Sequence, residues 1–141
     1  MVNIAQKINE SLTKIKKVTI VAHQNPDGDA IGSASALAGY LLEIGVTPAI
    51  FCVSPIPENL KFLPHVNLAT QDKGCMIDRD IIIIVDSGDP KYAGVADILP
   101  NLNSRIINID HHVTNAMYGH LNMVVPDASS TTEILYNFFK Q

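Results

Sequence analysis

The sequence predicts an α/β fold, a doubly wound, mostly parallel sheet with helices on both faces. Short apolar runs without polar interruption recur along the chain, and segments of helical periodicity lie between them. Continuous apolar strands are typical of a sheet that is covered on both faces, and short connections are typical of strand–helix–strand units. With 141 residues, 47% of them hydrophobic, the chain is long enough for one domain with a buried core.

The first half of the chain predicts two helices and two strands. In chain order they are a helix at 4–15, a strand at 18–22, a helix at 30–44 and a strand at 47–53. Asp29 is the expected N-cap of the long helix and Gly45 its expected C-cap. Three prolines between 55 and 64 then predict a loop with at most a short helix.

The second half predicts three further strands and two helices. In chain order they are a strand at 81–85, a short helix at 92–99, a strand at 106–109, a weaker strand at 118–125 and a helix at 131–140. The run that begins at Ser130 and includes Glu133 fits a capping box at the start of the last helix. Pro100 is expected to end the short one.

Charge and composition exclude several classes of partner. Lys and Arg number 10 against 14 Asp and Glu, and no basic run exceeds two residues, so duplex DNA is not an expected ligand. The longest aliphatic run, 81–85, is far too short to span a membrane. No secretory signal is visible, and Cys52 and Cys75 stand alone, which suits a reducing compartment. The expected location is cytoplasmic, without membrane contact.

Carboxylates and imidazoles follow three of the predicted strands. They are His23, Asp27 and Asp29 after the first strand, Asp86 after 81–85, and Asp110, His111 and His112 after 106–109. Any one run would also suit an ordinary turn or helix cap. Together they predict one site, because the carboxyl ends of parallel strands share an edge.

The residue types at this edge favour a metal site. Oxygen and imidazole ligands without cysteine suit Mn²⁺, Mg²⁺ or Fe²⁺. Several crowded carboxylates repel one another unless a divalent cation neutralises them, and two cations fit better than one. Paired metal ions serve in-line attack at phosphorus, so phosphoester chemistry is the expected class of reaction.

The same residues resemble the motifs of the DHH phosphoesterases. The motif residues are His23-x-Asn25-Pro26-Asp27-x-Asp29-Ala30, then Asp86, then Asp110-His111-His112. The run 127–133 is most similar to the branch that contains nanoRNases and cyclic-dinucleotide phosphodiesterases, and the resemblance extends over about 18–139. It implies a phosphoesterase that hydrolyses short oligoribonucleotides or adenine bisphosphates by hydroxide attack at two metal ions. Manganese is the implied ion, with Mg²⁺ as the alternative.

The resemblance also implies a role for each motif residue. His23 and Asp27 would bind one metal ion, Asp29 and His111 the other, and Asp86 would bridge the two. Asp110 would support the site from behind, and His112 would face the phosphate. Asn25, Ser130 and Thr131 are the expected contacts with a short RNA or nucleotide substrate.

Family members carry a further metal-binding aspartate and a C-terminal substrate domain, and neither has a match in this sequence. Residues 1–141 are therefore expected to form an incomplete enzyme, the N-terminal domain alone. Three alternatives stay open: a noncatalytic metal- or nucleotide-binding fragment, a pyrophosphatase or polyphosphatase, and a purely structural domain. The aromatic residues of the last helix favour core packing or a domain interface, and pairing of two copies into a homodimer is an equal alternative.

Overall fold

A computed structural model of the chain describes residues 3–141. Within them are six β-strands and three α-helices, together with four short 3₁₀ helices between the second and fifth strands. In chain order they are α1 (Ile4–Leu12), β1 (Lys17–Ala22), α2 (Gly28–Glu43), β2 (Thr47–Cys52), β3 (Ala69–Thr70), β4 (Ile81–Val85), β5 (Arg105–Asp110), β6 (Leu121–Val124) and α3 (Thr131–Phe139). None of the helices described is long and apolar enough to cross a membrane.

The strands form one parallel sheet in the order β3-β2-β1-β4-β5-β6. The chain builds outward from β1 through β2 to β3 and then crosses to the other side of β1 to continue with β4. The predicted α/β fold class is confirmed. The carboxyl ends of β1, β4 and β5 lie side by side, and in such sheets the crevice outside this edge at the crossover point is where ligands bind.

Both faces of the sheet are covered, which explains the unbroken apolar run in β4. Ile81, Ile83 and Val85 lie in a core cluster with residues of all three α-helices. Ile82 and Ile84 lie in a second cluster, against short 3₁₀ helices and turns. Each of these five side chains is at most 2% exposed, and burying one contributes about 1.5–3 kcal/mol. The strand that carries Asp86 at its end is therefore held on both sides.

Several local predictions were wrong. Pro100 lies within a 3₁₀ helix, Leu99–Asn101, rather than at the end of a helix, and the C-cap of α2 is Ile44 rather than Gly45. The segment 92–98 forms turns rather than a helix, because Gly94 has a φ of +72°, which interrupts helical geometry. The N-cap of α2 is Asp27 rather than Asp29: the Asp27 side chain accepts a hydrogen bond from the Ala30 N–H at 3.0 Å. Asp29 lies within the first turn of the helix, which leaves its carboxylate available to contact α3.

Candidate metal centre

Asp86 lies directly after β4, at the centre of the edge formed by the carboxyl ends of β1, β4 and β5. The residue is buried at 2% exposure, and its backbone φ of +56° lies in the left-handed region. A residue other than glycine adopts this conformation at a cost of order 1–3 kcal/mol, and such strain is concentrated at functional sites. The backbone is held there by the Asp86 N–H, which donates to the Ile109 carbonyl at 2.9 Å.

Each carboxylate oxygen of Asp86 faces a different imidazole. Oδ2 lies 3.4 Å from His23 Nε2, and Oδ1 lies 3.5 Å from His111 Nε2. Asp27 adds an oxygen 3.8 Å from the same nitrogen of His23, and Asp29 adds one 3.7 Å from His111 Nε2. The structure therefore brings these five residues into two adjacent donor sets that share Asp86.

The donor atoms fit divalent cations. Asp86 with His23 and Asp27, and Asp86 with His111 and His112, each offer three candidate ligand atoms within 4.8 Å of one another. In the second group His112 completes the compact set; Asp29 is not part of that set, although its Oδ2 lies 3.7 Å from His111 Nε2. Carboxylate and imidazole donors without a thiolate are the set that Mn²⁺ and related ions accept.

The orientation of His23 is determined by its neighbours. Nδ1 lies 2.7 Å from the Gln24 carbonyl oxygen, so this nitrogen carries the proton and donates it. In the neutral ring Nε2 then carries the lone pair that a metal ligand requires, and in the protonated ring the same nitrogen donates to Asp86. The ring of Tyr92 stacks on the imidazole with 4.7 Å between ring centroids, which limits its rotation. No pattern in the sequence indicated this contact.

The electrostatics of the two donor sets favour a bound positive charge. Burial raises the pKa of Asp86, its hydrogen bonds with His23 and Thr131 offset part of that rise, and the nearby Asp29 and Asp27 carboxylates raise it further. Burial lowers the pKa of His23, but the contacts with Asp86 and the Gln24 carbonyl outweigh this effect and raise it overall. Both directions mean that added positive charge stabilises this group of residues.

Helix α3 begins directly beside the two donor sets, and its first turn binds the Asp29 carboxylate. The Thr131 and Thr132 N–H groups donate to the two Asp29 carboxylate oxygens, each at 2.9 Å. Burial raises the pKa of Asp29, but these two N–H groups outweigh it and lower the pKa overall. Asp29 is therefore an ionised carboxylate at a helix N-terminus, where the helix dipole favours negative charge.

The structure gives the three predicted substrate contacts different surroundings. Thr131 is fully buried, and its hydroxyl donates to Asp86 Oδ1 at 3.0 Å. Ser130 is the N-cap of α3, and its hydroxyl accepts from the Glu133 N–H at 3.0 Å. Asn25 is exposed, with a φ of +47°. Their contact with substrate stays a prediction, whereas the support that Thr131 gives to Asp86 was not anticipated from the sequence.

His112 lies on the rim of the site and is held from behind by Asp110. Its Nδ1 lies 2.6 Å from Asp110 Oδ1, and its side chain is 47% exposed while that of Asp110 is fully buried. Burial lowers the pKa of His112, but the bond to Asp110 outweighs it and raises the pKa overall. A proton-bearing imidazole is thus presented to solvent beside the two donor sets.

A cavity of about 390 Å³ opens next to this edge, at the ends of β2 and β3. Two of its lining residues contact the loop that carries His23. The Cys52 thiol donates to the His23 carbonyl at 3.4 Å, and the Ser54 hydroxyl accepts from the Asn25 N–H at 2.8 Å. The remaining lining mixes apolar side chains with two amides, the Thr70 hydroxyl and Lys61, as in sites that bind small organic molecules.

Comparison with known proteins identifies similar chains. The family model for the DHH family, N-terminal domain, matches residues 17–141. The bifunctional oligoribonuclease and PAP phosphatase NrnA of Thermus thermophilus is 32% identical over 119 residues, which are 84% of this chain and 35% of that protein. NrnA of Bacillus subtilis is 28% identical over 123 residues, or 86% of this chain and 38% of that protein.

Two more distant similarities complete the comparison. The cyclic-di-AMP phosphodiesterase PdeA of Listeria monocytogenes is 23% identical over 153 residues, covering 97% of this chain and 23% of that protein. The crystal structure of an exopolyphosphatase-related protein from Bacteroides fragilis superposes with a TM-score of 0.91 at 24% identity, covering 97% of this chain and 43% of that one. It supports the fold. The chain spans about a third of the length of the NrnA proteins it matches.

Proposed function

Since the chain belongs to the DHH family, whose N-terminal domain it matches over residues 17–141, we propose that it forms the metal-binding domain of a phosphoesterase. The proposed substrates are short oligoribonucleotides and adenine bisphosphates. The similarity to two oligoribonuclease and PAP phosphatase proteins supports this substrate class. The proposed metal ion is Mn²⁺, with Mg²⁺ as the alternative.

The observation that carries the proposal is the position of Asp86 between two imidazoles. A buried carboxylate with one oxygen towards His23 and the other towards His111 is suited to bridge two cations. We assign His23 and Asp27 to one ion and His111 and Asp29 to the other. When bound, a pair of such ions supplies a hydroxide nucleophile at neutral pH and polarises the phosphoryl oxygens.

The protein's own residues then orient the phosphate and stabilise its charge. His112 presents an imidazole with a raised pKa at the rim, where it donates a hydrogen bond to a phosphoryl oxygen as negative charge develops. Asp110 keeps the Nδ1 proton of His112 in place. Thr131 and the first turn of α3 hold Asp86 and Asp29 in the positions from which they would bind the ions.

The cavity beside β2 and β3 is the proposed location of a nucleoside. Its volume of about 390 Å³ lies within the range of small-molecule sites, roughly 300–1,000 Å³. Its lining residues Cys52 and Ser54 are hydrogen-bonded to the loop of His23 and Asn25, so a nucleoside bound there would lie near the predicted site of the reacting phosphate.

The metal part of the proposal is tested by calorimetric titration of the metal-stripped chain with Mn²⁺. We expect two binding sites in the wild type and the loss of at least one in Asp86→Asn. Asp80→Asn is the matched control: this exposed carboxylate accepts from the Lys16 and Lys17 N–H groups at the opposite edge of the sheet. Absence of Mn²⁺ binding by the folded wild type, or equal binding by Asp86→Asn, would refute the metal centre.

The substrate class is tested separately on the metal-loaded chain. Any turnover is expected to be of 3′-phosphoadenosine 5′-phosphate or of a short oligoribonucleotide, with pyrophosphate and polyphosphate left intact. Preference for pyrophosphate or polyphosphate would contradict the proposed substrate class. Two bound ions with no turnover of any of these compounds would favour the noncatalytic metal-binding alternative for the chain by itself.

A further inference from the structure

A polar cluster lies behind His112 and contains none of the predicted metal ligands. It joins Asn108 on β5 to Asn115 and Tyr118 on the loop that follows, and to Ser87 after β4. Polar side chains in such positions are costly unless their hydrogen bonds are all made. The cluster meets that condition, and its contacts lead to Asp110.

Asn115 uses both N–H donors and the oxygen of its side-chain amide. Nδ2 donates to Asp110 Oδ2 and to Asn108 Oδ1, each at 2.7 Å. Oδ1 accepts from the Met117 N–H, also at 2.7 Å. Two donors on one side and an acceptor on the other is a pattern that an amide satisfies and a carboxylate of the same shape does not.

The contact with Asp110 determines which way that carboxylate faces. Asp110 is fully buried, and its two oxygens are divided between Asn115 on Oδ2 and His112 on Oδ1. Without the amide, one oxygen of a buried carboxylate would lose its side-chain donor, and rotation of the carboxylate would relieve that loss. The hydrogen bond to His112 Nδ1 depends on the same rotation.

Asn108 connects this arrangement to the Asp86 segment. It is fully buried, and its Nδ2 donates to the carbonyls of Ile84 and Ser87, at 3.1 and 3.2 Å. These two carbonyls lie on either side of the strained Asp86 backbone. Because Asn108 Oδ1 accepts from Asn115, the backbone that carries Asp86 and the side chains that hold His112 form one hydrogen-bonded unit.

We propose that Asn115 is a positioning residue that holds Asp110 so that His112 keeps its proton on Nδ1 and presents Nε2 to the site. The inference rests on the proposed function in one respect only, namely that His112 faces the phosphate. The hydrogen-bond relay itself is a property of this chain's own residues, and it is measurable without metal or substrate.

The test is a long-range ¹H–¹⁵N spectrum of the metal-free chain labelled on histidine, at alkaline pH where the imidazoles are neutral. In the wild type we expect His112 as a single Nδ1–H tautomer with a strongly shifted, hydrogen-bonded proton. In Asn115→Ala and Asn115→Asp we expect a mixture of tautomers and loss of that proton signal. Where the loaded chain hydrolyses substrate, kcat should fall about 10- to 100-fold, with KM little changed.

Asn122→Ala is the matched control. Asn122 is also a half-buried asparagine, on β6, whose side chain donates to the Gly119 carbonyl at 2.8 Å and accepts from the Gly119 N–H at 2.9 Å. None of these hydrogen bonds goes to Asp110. We expect the His112 signals of Asn122→Ala to match those of the wild type whatever the stability of that variant.

Unchanged His112 signals in both Asn115 variants would overturn the proposal. Unfolding of both variants would also overturn it, because Asn115 would then have a purely structural role. Absence of hydrolysis would bear on the proposed function alone.

Discussion

Replacing Thr131 by valine removes one buried hydrogen bond to Asp86 and little else. The two side chains have nearly the same shape, and Thr131 is fully buried with its hydroxyl 3.0 Å from Asp86 Oδ1. A hydrogen bond to a charged group contributes about 1.5–3 kcal/mol. Without the hydroxyl, Asp86 Oδ1 is left with His111 Nε2, at 3.5 Å. We therefore expect Thr131→Val to lower the unfolding free energy by about 1.5–3 kcal/mol.

Thr19→Val is the matched control on another part of the sheet. Thr19 is also fully buried, and its hydroxyl donates to the Cys75 carbonyl at 2.5 Å. That acceptor is neutral and still receives a hydrogen bond from Arg79 Nε at 2.8 Å, so nothing is left without a partner. The expected cost is about 0.5–1.5 kcal/mol, smaller than that of Thr131→Val.

Urea unfolding of the metal-free proteins measures both costs, and calorimetry with Mn²⁺ measures the effect on the site. We expect Thr131→Val to weaken Mn²⁺ binding about 10- to 100-fold, as loss of a group that orients a metal ligand does, and Thr19→Val to leave binding unchanged. A cost for Thr131→Val no larger than that for Thr19→Val, together with unchanged Mn²⁺ affinity, would refute the view that this hydroxyl orients Asp86.

Two further predictions concern the surroundings of the site. Gly94 has a φ of +72°, and an added Cβ would lie 2.9 Å from Val53 Cγ1. Gly94→Ala should therefore lower the unfolding free energy by about 1–3 kcal/mol. An unchanged stability in urea unfolding would contradict the turn at Gly94. Hydrogen bonds from the Ser129 hydroxyl and N–H lower the pKa of Glu133. Because this folded-state pKa is depressed, the carboxylate stabilises the fold above its unfolded-state pKa, and the contribution is lost as pH falls through the folded value. Glu133→Gln should therefore be less stable than the wild type at neutral pH and equal to it in acid, and a difference that persists in acid would argue against this origin.

Much of the fold followed from local patterns. The apolar run 81–85 predicted a strand buried on both faces, and β4 spans those residues between two core clusters. The prediction of a helix at 92–99 was wrong because the spacing of apolar side chains does not reveal the backbone conformation of a glycine, and Gly94 adopts a positive φ there. The N-cap of α2 was misplaced by two residues because Asp27 and Asp29 have equal capping propensity, and only their positions in space distinguish them.

The sequence by itself determined the class of fold and the edge of the sheet at which the chemistry-bearing residues gather. It could do so because strand polarity is common to all strands of a parallel sheet, so residues that follow three strands must meet. Only the tertiary structure decided which atoms face one another. The two oxygens of Asp86 divide between His23 and His111, Thr131 reaches Asp86 across 45 residues of chain, and Asn115 holds Asp110. Such contacts depend on side-chain rotamers and on distances between elements far apart in the chain, and no local pattern of residue types encodes them.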